Sequence, residues 1–229
     1  KTGKQLWSYD PKVPREKAYQ ACCDVVNRGV AVYKGKVFVG TNNESPRDEQ
    51  HKGDRSILMC FDEKTGELIW EHWSGPANRQ DMRNIAMYED KIIQATTDAR
   101  LVALDARTGE QVWESIVADN SKGFSNSSGP IVADGKVILG LAGCARYIPE
   151  DCYISAYDAD DGELLWQFET IAEMGEPGGD TWGGLDNLFR AGGETWITGS
   201  YDPDLKLVYW GTGNAAPWNA GVRPGDNLY

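Results

Sequence analysis

The sequence predicts an all-β fold built from repeated four-stranded units, the blades of a β-propeller. Two observations carry this. A phrase that ends in tryptophan occurs four times along the chain, and pairs of short β-rich runs joined by tight turns stand between the copies. Hydrophobic residues make up 41% of the 229, enough to fill a core.

The phrase reads Lys1-Thr2-Gly3-Lys4-Gln5-Leu6-Trp7 at its first occurrence. It returns in full as Phe61-Asp62-Glu63-Lys64-Thr65-Gly66-Glu67-Leu68-Ile69-Trp70. Leu104-Asp105-Ala106-Arg107-Thr108-Gly109-Glu110-Gln111-Val112-Trp113 and Tyr157-Asp158-Ala159-Asp160-Asp161-Gly162-Glu163-Leu164-Leu165-Trp166 complete the series. The copies stand roughly 40 to 60 residues apart, a blade length with loop insertions. The Asp accepts hydrogen bonds from amides of the turn. The Gly takes the left-handed conformation that closes it. The strand that follows ends in a large flat side chain suited to packing between neighbouring blades.

Before each full phrase lie two further strands. They are Gly29–Tyr33 and Lys36–Gly40 around Lys34-Gly35, Asn84–Tyr88 and Lys91–Ala95 around Glu89-Asp90, and Pro130–Ala133 and Lys136–Gly140 around Asp134-Gly135. Each unit thus offers about four strands. A fifth unit starts near Glu194-Thr195-Trp196 and runs through Lys206–Trp210 without a closing phrase. Residues 1–229 therefore read as one partial propeller domain: three full blades, the tail of one before them and the start of one after. Glu173–Arg190 reads as an insertion loop. The chain opens on Lys1 with neither an initiator Met nor a signal peptide, so it is expected to begin inside a longer protein. An open piece of this kind is expected neither to close a ring nor to catalyse by itself.

Composition narrows the function. The net charge of −12 repels phosphate backbones, which disfavours a nucleic-acid partner. No apolar run approaches the roughly 20 residues of a membrane-spanning helix. Of the five cysteines, Cys60 sits in the apolar run Ile57–Phe61 and reads as a small buried hydrophobe. Two pairs can be drawn from the others, Cys22 with Cys23 and Cys144 with Cys152, and paired cysteines suit an oxidising compartment such as a periplasm. None has the spacing of a structural zinc site. A bond between neighbours such as Cys22 and Cys23 requires a distorted peptide. Two unpaired buried cysteines are the alternative. His51 and His72 stand alone in polar surroundings and read as surface residues.

Ala21-Cys22-Cys23-Asp24-Val25-Val26-Asn27-Arg28-Gly29 resembles a segment of the pyrroloquinoline quinone (PQQ)-dependent alcohol dehydrogenases, an eight-bladed propeller family. So do Gly192-Gly193-Glu194-Thr195-Trp196, Tyr201-Asp202-Pro203 and Gly211-Thr212-Gly213-Asn214-Ala215-Ala216-Pro217-Trp218-Asn219, and Arg223–Asn227 continues the match. The resemblance implies that Cys22 and Cys23 form a disulfide against one face of the quinone and that Arg28 bonds the quinone oxygens. It implies that Trp196 stacks on the other face and that Asn214 gives its amide oxygen to a calcium ion. A core Trp and a turn Asn are the alternatives for the last two. Thr96 lies within a residue of a family Thr that bonds the cofactor carboxylates, with a turn-edge Thr as the alternative. Gly143 falls where the family backbone approaches the cofactor.

One departure stands out. The family has a Gly-Ala-Glu segment after the equivalent of Gly140, and its Glu binds the metal. Here Gly140-Leu141-Ala142-Gly143-Cys144-Ala145-Arg146-Tyr147 carries no carboxylate. Arg146 would weaken cation binding, and Glu150 or Asp151 would have to substitute.

The implied activity is oxidation of an alcohol or sugar hydroxyl by hydride transfer to the quinone. A carboxylate takes the hydroxyl proton, and periplasmic cytochrome c is the usual electron acceptor. The family's base is expected beyond Tyr229, and Asp202 reads as a turn former. Two other readings stand beside this one: a non-catalytic periplasmic propeller scaffold, and a quinoprotein with a degenerate metal site.

Overall fold

The computed structural model describes residues 3–10, 30–41, 55–76, 85–144 and 152–227. Three four-stranded antiparallel sheets and one two-stranded sheet follow one another along the chain. The first holds β1 (Ala31–Tyr33), β2 (Lys36–Thr41), β3 (Arg55–Asp62) and β4 (Leu68–Pro76). The second holds β5 (Ile85–Tyr88), β6 (Lys91–Ala95), β7 (Arg100–Asp105) and β8 (Gln111–Ile116). The third holds β9 (Ile131–Ala133), β10 (Lys136–Gly140), β11 (Tyr153–Asp158) and β12 (Leu164–Glu169). β13 (Ser200–Asp202) and β14 (Leu207–Tyr209) form the last pair. Each sheet is a meander in sequence order, as a propeller blade requires.

The repeated phrase is the hairpin between third and fourth strands. Asp62 Oδ1 accepts from the amides of Lys64 and Thr65, at 2.9 and 2.8 Å, and Asp105 Oδ1 accepts from those of Arg107 and Thr108, at 2.7 and 3.1 Å. Gly66, Gly109 and Gly162 have φ of 72°, 75° and 79°, a region that costs any other residue about 1–2 kcal/mol. A register shift follows at Cys60/Phe61, Ala103/Leu104 and Ala156/Tyr157, so each copy bends its fourth strand alike.

The core lies between sheets. On β3, Leu58 and Cys60 pack with Ile92, Val102 and Leu104 of the second sheet, while Ile57, Met59 and Phe61 turn the other way toward Trp7 and Tyr9. A strand buried on both faces reads as an unbroken apolar run, which accounts for Ile57–Phe61. Cys60 is fully buried, and burial pushes its thiol up to about 12. Trp113 and Tyr157 fill the space between second and third sheets. The tryptophans bind the sheets together. Trp7 Nε1 donates to Glu63 O (2.9 Å), Trp70 Nε1 to Ala106 O (3.2 Å) and Trp113 Nε1 to Ala159 O (3.3 Å). Each therefore reaches the phrase of the following sheet.

One expectation needs correction. His72 is not a surface residue. Two positions after Trp70 it turns inward with it, and its Nδ1 lies 3.2 Å from Gly109 O across the sheet junction. Within residues 173–190, read as an insertion loop, the chain makes two short turns of 3-10 helix. They are Gly179–Trp182, which ends on a fully buried Trp182, and Asn187–Phe189. Arg190, also buried, holds them by donating to Ala172 O (2.7 Å) and Leu185 O (2.9 Å).

Candidate cofactor rim

In an antiparallel hairpin the entry of the first strand and the exit of the second share one end. The residues after β6, β10 and β14, and those before β9 and β13, therefore gather on one rim of neighbouring sheets. The first strands β5, β9 and β13 lie side by side, which brings these ends together. Thr96, Gly143, Trp196 and Asn214 all belong to this set.

A chain of contacts crosses the rim. The Arg100 amide donates to Thr96 Oγ1 (3.1 Å), and Arg100 O accepts from Asn126 Nδ2 (2.9 Å). Ser125 and Ala142 exchange two backbone bonds of 3.0 Å. One residue on, the Gly143 amide donates to Glu194 Oε1 (2.8 Å), and Glu194 O accepts from the Gly213 amide (2.7 Å). Gly143 has φ of 105°, and a side chain there would run into Gly123 O and Phe124 Cα. Thr195 is fully buried and fastens Leu141 three times: its Oγ1 accepts from Leu141 N (2.7 Å) and donates to Leu141 O (3.1 Å), and its amide donates to the same carbonyl (3.0 Å). The Cys144–Cys152 disulfide, with Cα atoms 5.4 Å apart, closes the far end of that segment.

Residues 192–196 thus join the turn that bears Gly143 to the turn that bears Asn214. Trp196 keeps 40% of its surface exposed, and Asn214 is exposed. A Cβ on Gly213 would stand 3.5 Å from Trp196 Nε1, which places the indole edge beside Asn214's neighbour. Thr96 is 1% exposed, and its hydroxyl is used inside its own turn, donating to Asp98 Oδ1 at 2.5 Å. Cys22, Cys23, Arg28, His51, Arg146, Glu150 and Asp151 lie outside the described residues. Asp202 caps its turn, accepting from the amides of Asp204 and Leu205, both at 2.9 Å.

The rim holds residues that sequence reasoning passed over. Asn126 and Ser127 are 2% and 5% exposed, and among the described residues Asn126 Oδ1 and Ser127 Oγ have no hydrogen-bond partner. Buried polar atoms are normally paired, so an unpaired pair at a rim marks a place where a polar ligand fits. Glu194 adds a carboxylate beside Gly143. Among the described residues no three His, Cys, Asp or Glu side chains converge. A cation here would rely on one carboxylate, the Asn214 amide oxygen and oxygens of a ligand, a set that suits a hard cation. A partly exposed indole, buried oxygens without partners among the described residues and this donor set fit a flat, oxygen-rich cofactor with a metal beside it.

Comparison with known proteins places the chain in a family. Residues 51–229 match the PQQ family model described as glucose/ethanol/alcohol dehydrogenase, beta-propeller domain. The quinoprotein alcohol dehydrogenase PedH of Pseudomonas putida is 35% identical over 100% of this chain and 31% of its own length. A europium-containing methanol dehydrogenase superposes with a TM-score of 0.71 at 27% identity, over 89% of this chain and 39% of that one. The quinohemoprotein alcohol dehydrogenase of Comamonas testosteroni gives 0.70 at 29% identity, over 90% and 32%. The chain thus spans about a third of the length of these relatives. It belongs to the PQQ family of glucose, ethanol and alcohol dehydrogenase β-propeller domains.

Proposed function

We propose that the protein containing residues 1–229 is a PQQ-dependent dehydrogenase that oxidises alcohol hydroxyl groups, and that this chain supplies one side of the cofactor pocket. Sugars are the second substrate class. The observation that carries this reading is the single run of contacts linking Asn126, Gly143, Glu194 and Gly213 across one rim, with Trp196 and Asn214 at its end.

Each residue has a part in binding. Trp196 offers the platform for one face of the flat ring system. The Ser127 hydroxyl donates to a cofactor carboxylate, a charge-assisted bond stronger than a neutral one. Asn214 gives its amide oxygen to a calcium or similar hard cation. Cys22, Cys23 and Arg28 are assigned to the opposite face on the strength of the family motif, and Thr96 to a supporting turn. The bound quinone supplies the redox chemistry by accepting the hydride; the protein holds and orients it. No residue of this chain is assigned as the base. A periplasmic location and a cytochrome c acceptor follow from the same family reading.

The full-length protein, freed of cofactor, would be titrated with PQQ with and without calcium, then supplied with a primary alcohol and an artificial electron-accepting dye. Saturable PQQ binding and alcohol-dependent dye reduction are expected. Absence of both would remove the enzyme assignment and favour a scaffold. Binding indifferent to calcium would favour a quinoprotein with a degenerate metal site.

A further inference from the structure

We infer that the cavity beside Arg190 is a binding site for a small aliphatic carboxylate. The inference does not use the quinone reading. The cavity, about 360 Å3, lies between residues 174–180, Gly184 and Arg190. Its size is that of a small-molecule pocket. Arg190 is 2% exposed, and its Nη2 has no hydrogen-bond partner among the described residues. Nε and Nη1 donate to two neutral carbonyls, those of Leu185 and Ala172. The Trp182 ring centroid lies 5.9 Å from Cζ, a cation–π contact at the limit of its range. Among the described residues no carboxylate is paired with Arg190.

A positive charge withdrawn from water costs free energy unless a counter-charge and a full set of acceptors replace the water. Arg190 has neither from its surroundings. Glycine in the wall leaves the guanidinium uncovered: a Cβ on Gly179 would stand 3.4 Å from Nη1, but it would also run into Glu173 O, so a side chain is excluded there. A carboxylate answers both needs, because it is charged and its two oxygens match the planar fork of a guanidinium. Met174 and Pro177 in the same wall give a short hydrocarbon tail an apolar surface. Glu176 and Asp180, both exposed, belong to the wall as well. Two carboxylates against one guanidinium leave it net negative, which penalises a doubly charged anion more than a singly charged one. The site therefore favours a monocarboxylate over sulfate or phosphate.

Full-length protein would be titrated calorimetrically with sodium butyrate and, separately, with sodium sulfate, chloride holding the ionic strength constant. The titration reads occupancy without any redox step. Wild type is expected to bind butyrate saturably, with Kd on the order of 1 mM, and sulfate at least about 3-fold more weakly. Arg190→Gln removes the charge and is expected to weaken butyrate binding about 10-fold or more. Glu176 Oε2 accepts from the Glu173 amide at 2.9 Å, and Glu176→Gln keeps that acceptor while removing one negative charge. Butyrate should bind this variant about 2- to 5-fold more tightly than wild type. The exposed position settles the matter if the Arg190 variant does not fold. Wild type without saturable butyrate binding overturns the inference. So does unchanged affinity in Arg190→Gln or, where that variant does not fold, in Glu176→Gln. Sulfate bound as tightly as butyrate overturns the assignment to a carboxylate.

Discussion

The Trp113 indole occupies the space above Gly162: a Cβ on that glycine would lie 2.6 Å from the ring's Cε3. Trp70 stands over Gly109 in the same way, at 2.7 Å. One small residue therefore does two things, closing its own hairpin at positive φ and seating the tryptophan of the preceding sheet. Gly162→Ala meets both penalties, about 1–2 kcal/mol for the backbone and about 1–3 kcal/mol for overpacking. Gly35 shares the backbone angle, with φ of 75°, but has nothing within 4 Å of a Cβ. Gly35→Ala should show the backbone part alone. Urea unfolding of the two variants separates the effects, and equal losses would show that the indole contact adds nothing.

His72 makes the junction between first and second sheets sensitive to pH. Burial is the main reason its pKa is lowered from 6.5, and Arg100 lowers it further; the Gly109 hydrogen bond and Glu114 act against them. Because a carbonyl can only accept, Nδ1 carries the hydrogen of the neutral ring. The folded pKa lies below the unfolded one, so between the two the unfolded chain binds more protons. Stability from this site is complete above pH 6.5 and declines as pH falls from there toward the folded pKa. His72→Gln keeps a donor without a titration in this range. Its melting temperature should fall less than wild type's between pH 7.5 and pH 5.5. Parallel curves would show that His72 takes no part.

The Cys144–Cys152 bridge closes a short loop directly beside Gly143, and both sulfurs are buried. Loop-closure entropy for a ring of about nine residues amounts to about 2–3 kcal/mol. Replacing both cysteines by Ala should lower stability by about that much. Reduction of the wild type should lower the melting temperature by at least as much, since the Cys22–Cys23 bond expected from the family motif would be reduced as well. A double variant as stable as wild type would mean that Thr195 alone holds the segment.

What the sequence made legible is what its physics keeps local. The Asp-to-Gly turn is written in one phrase, so the hairpins and their strands follow from reading it. The seating of Trp70 on Gly109 spans some 40 residues but repeats with the phrase, and the period reveals it. His72 was misread because Glu71-His72-Trp73 looks polar, whereas alternation along β4 sends it inward. The two short 3-10 helices within residues 173–190 have no periodic sign, because the segment's Gly and Asp content resembles an ordinary loop. At the rim, Trp196 and Asn214 were visible as a motif. Glu194 was not, because its partner Gly143 is 51 residues away and no local pattern joins them. Ser127 was hidden among small polar residues, which read equally well as a turn.

Two adjacent serines test whether that rim is built for a ligand. Ser128 Oγ donates to Gly140 O and accepts from Gly140 N, both at 3.1 Å, so its hydroxyl is fully used in joining the loop to β10. Ser127 Oγ is equally buried and has no partner among the described residues. An unpaired buried hydroxyl costs about 1–3 kcal/mol, whereas removing one end of a buried pair strands the other. Ser128→Ala should therefore destabilise the protein by about 1–3 kcal/mol. Ser127→Ala should leave it as stable or make it more so by up to about 1 kcal/mol. On PQQ the order reverses. A hydrogen bond to a charged group is worth about 1.5–3 kcal/mol, so Ser127→Ala should weaken PQQ binding by about 10-fold or more. Calorimetric melting of the cofactor-free variants and PQQ titration of the same preparations read the two effects separately. If Ser127→Ala loses stability as Ser128→Ala does and binds PQQ as wild type does, the hydroxyl serves the fold and the rim loses its donor. A variant that gains stability while losing cofactor would show that the protein keeps this hydroxyl unpaired for the ligand it receives.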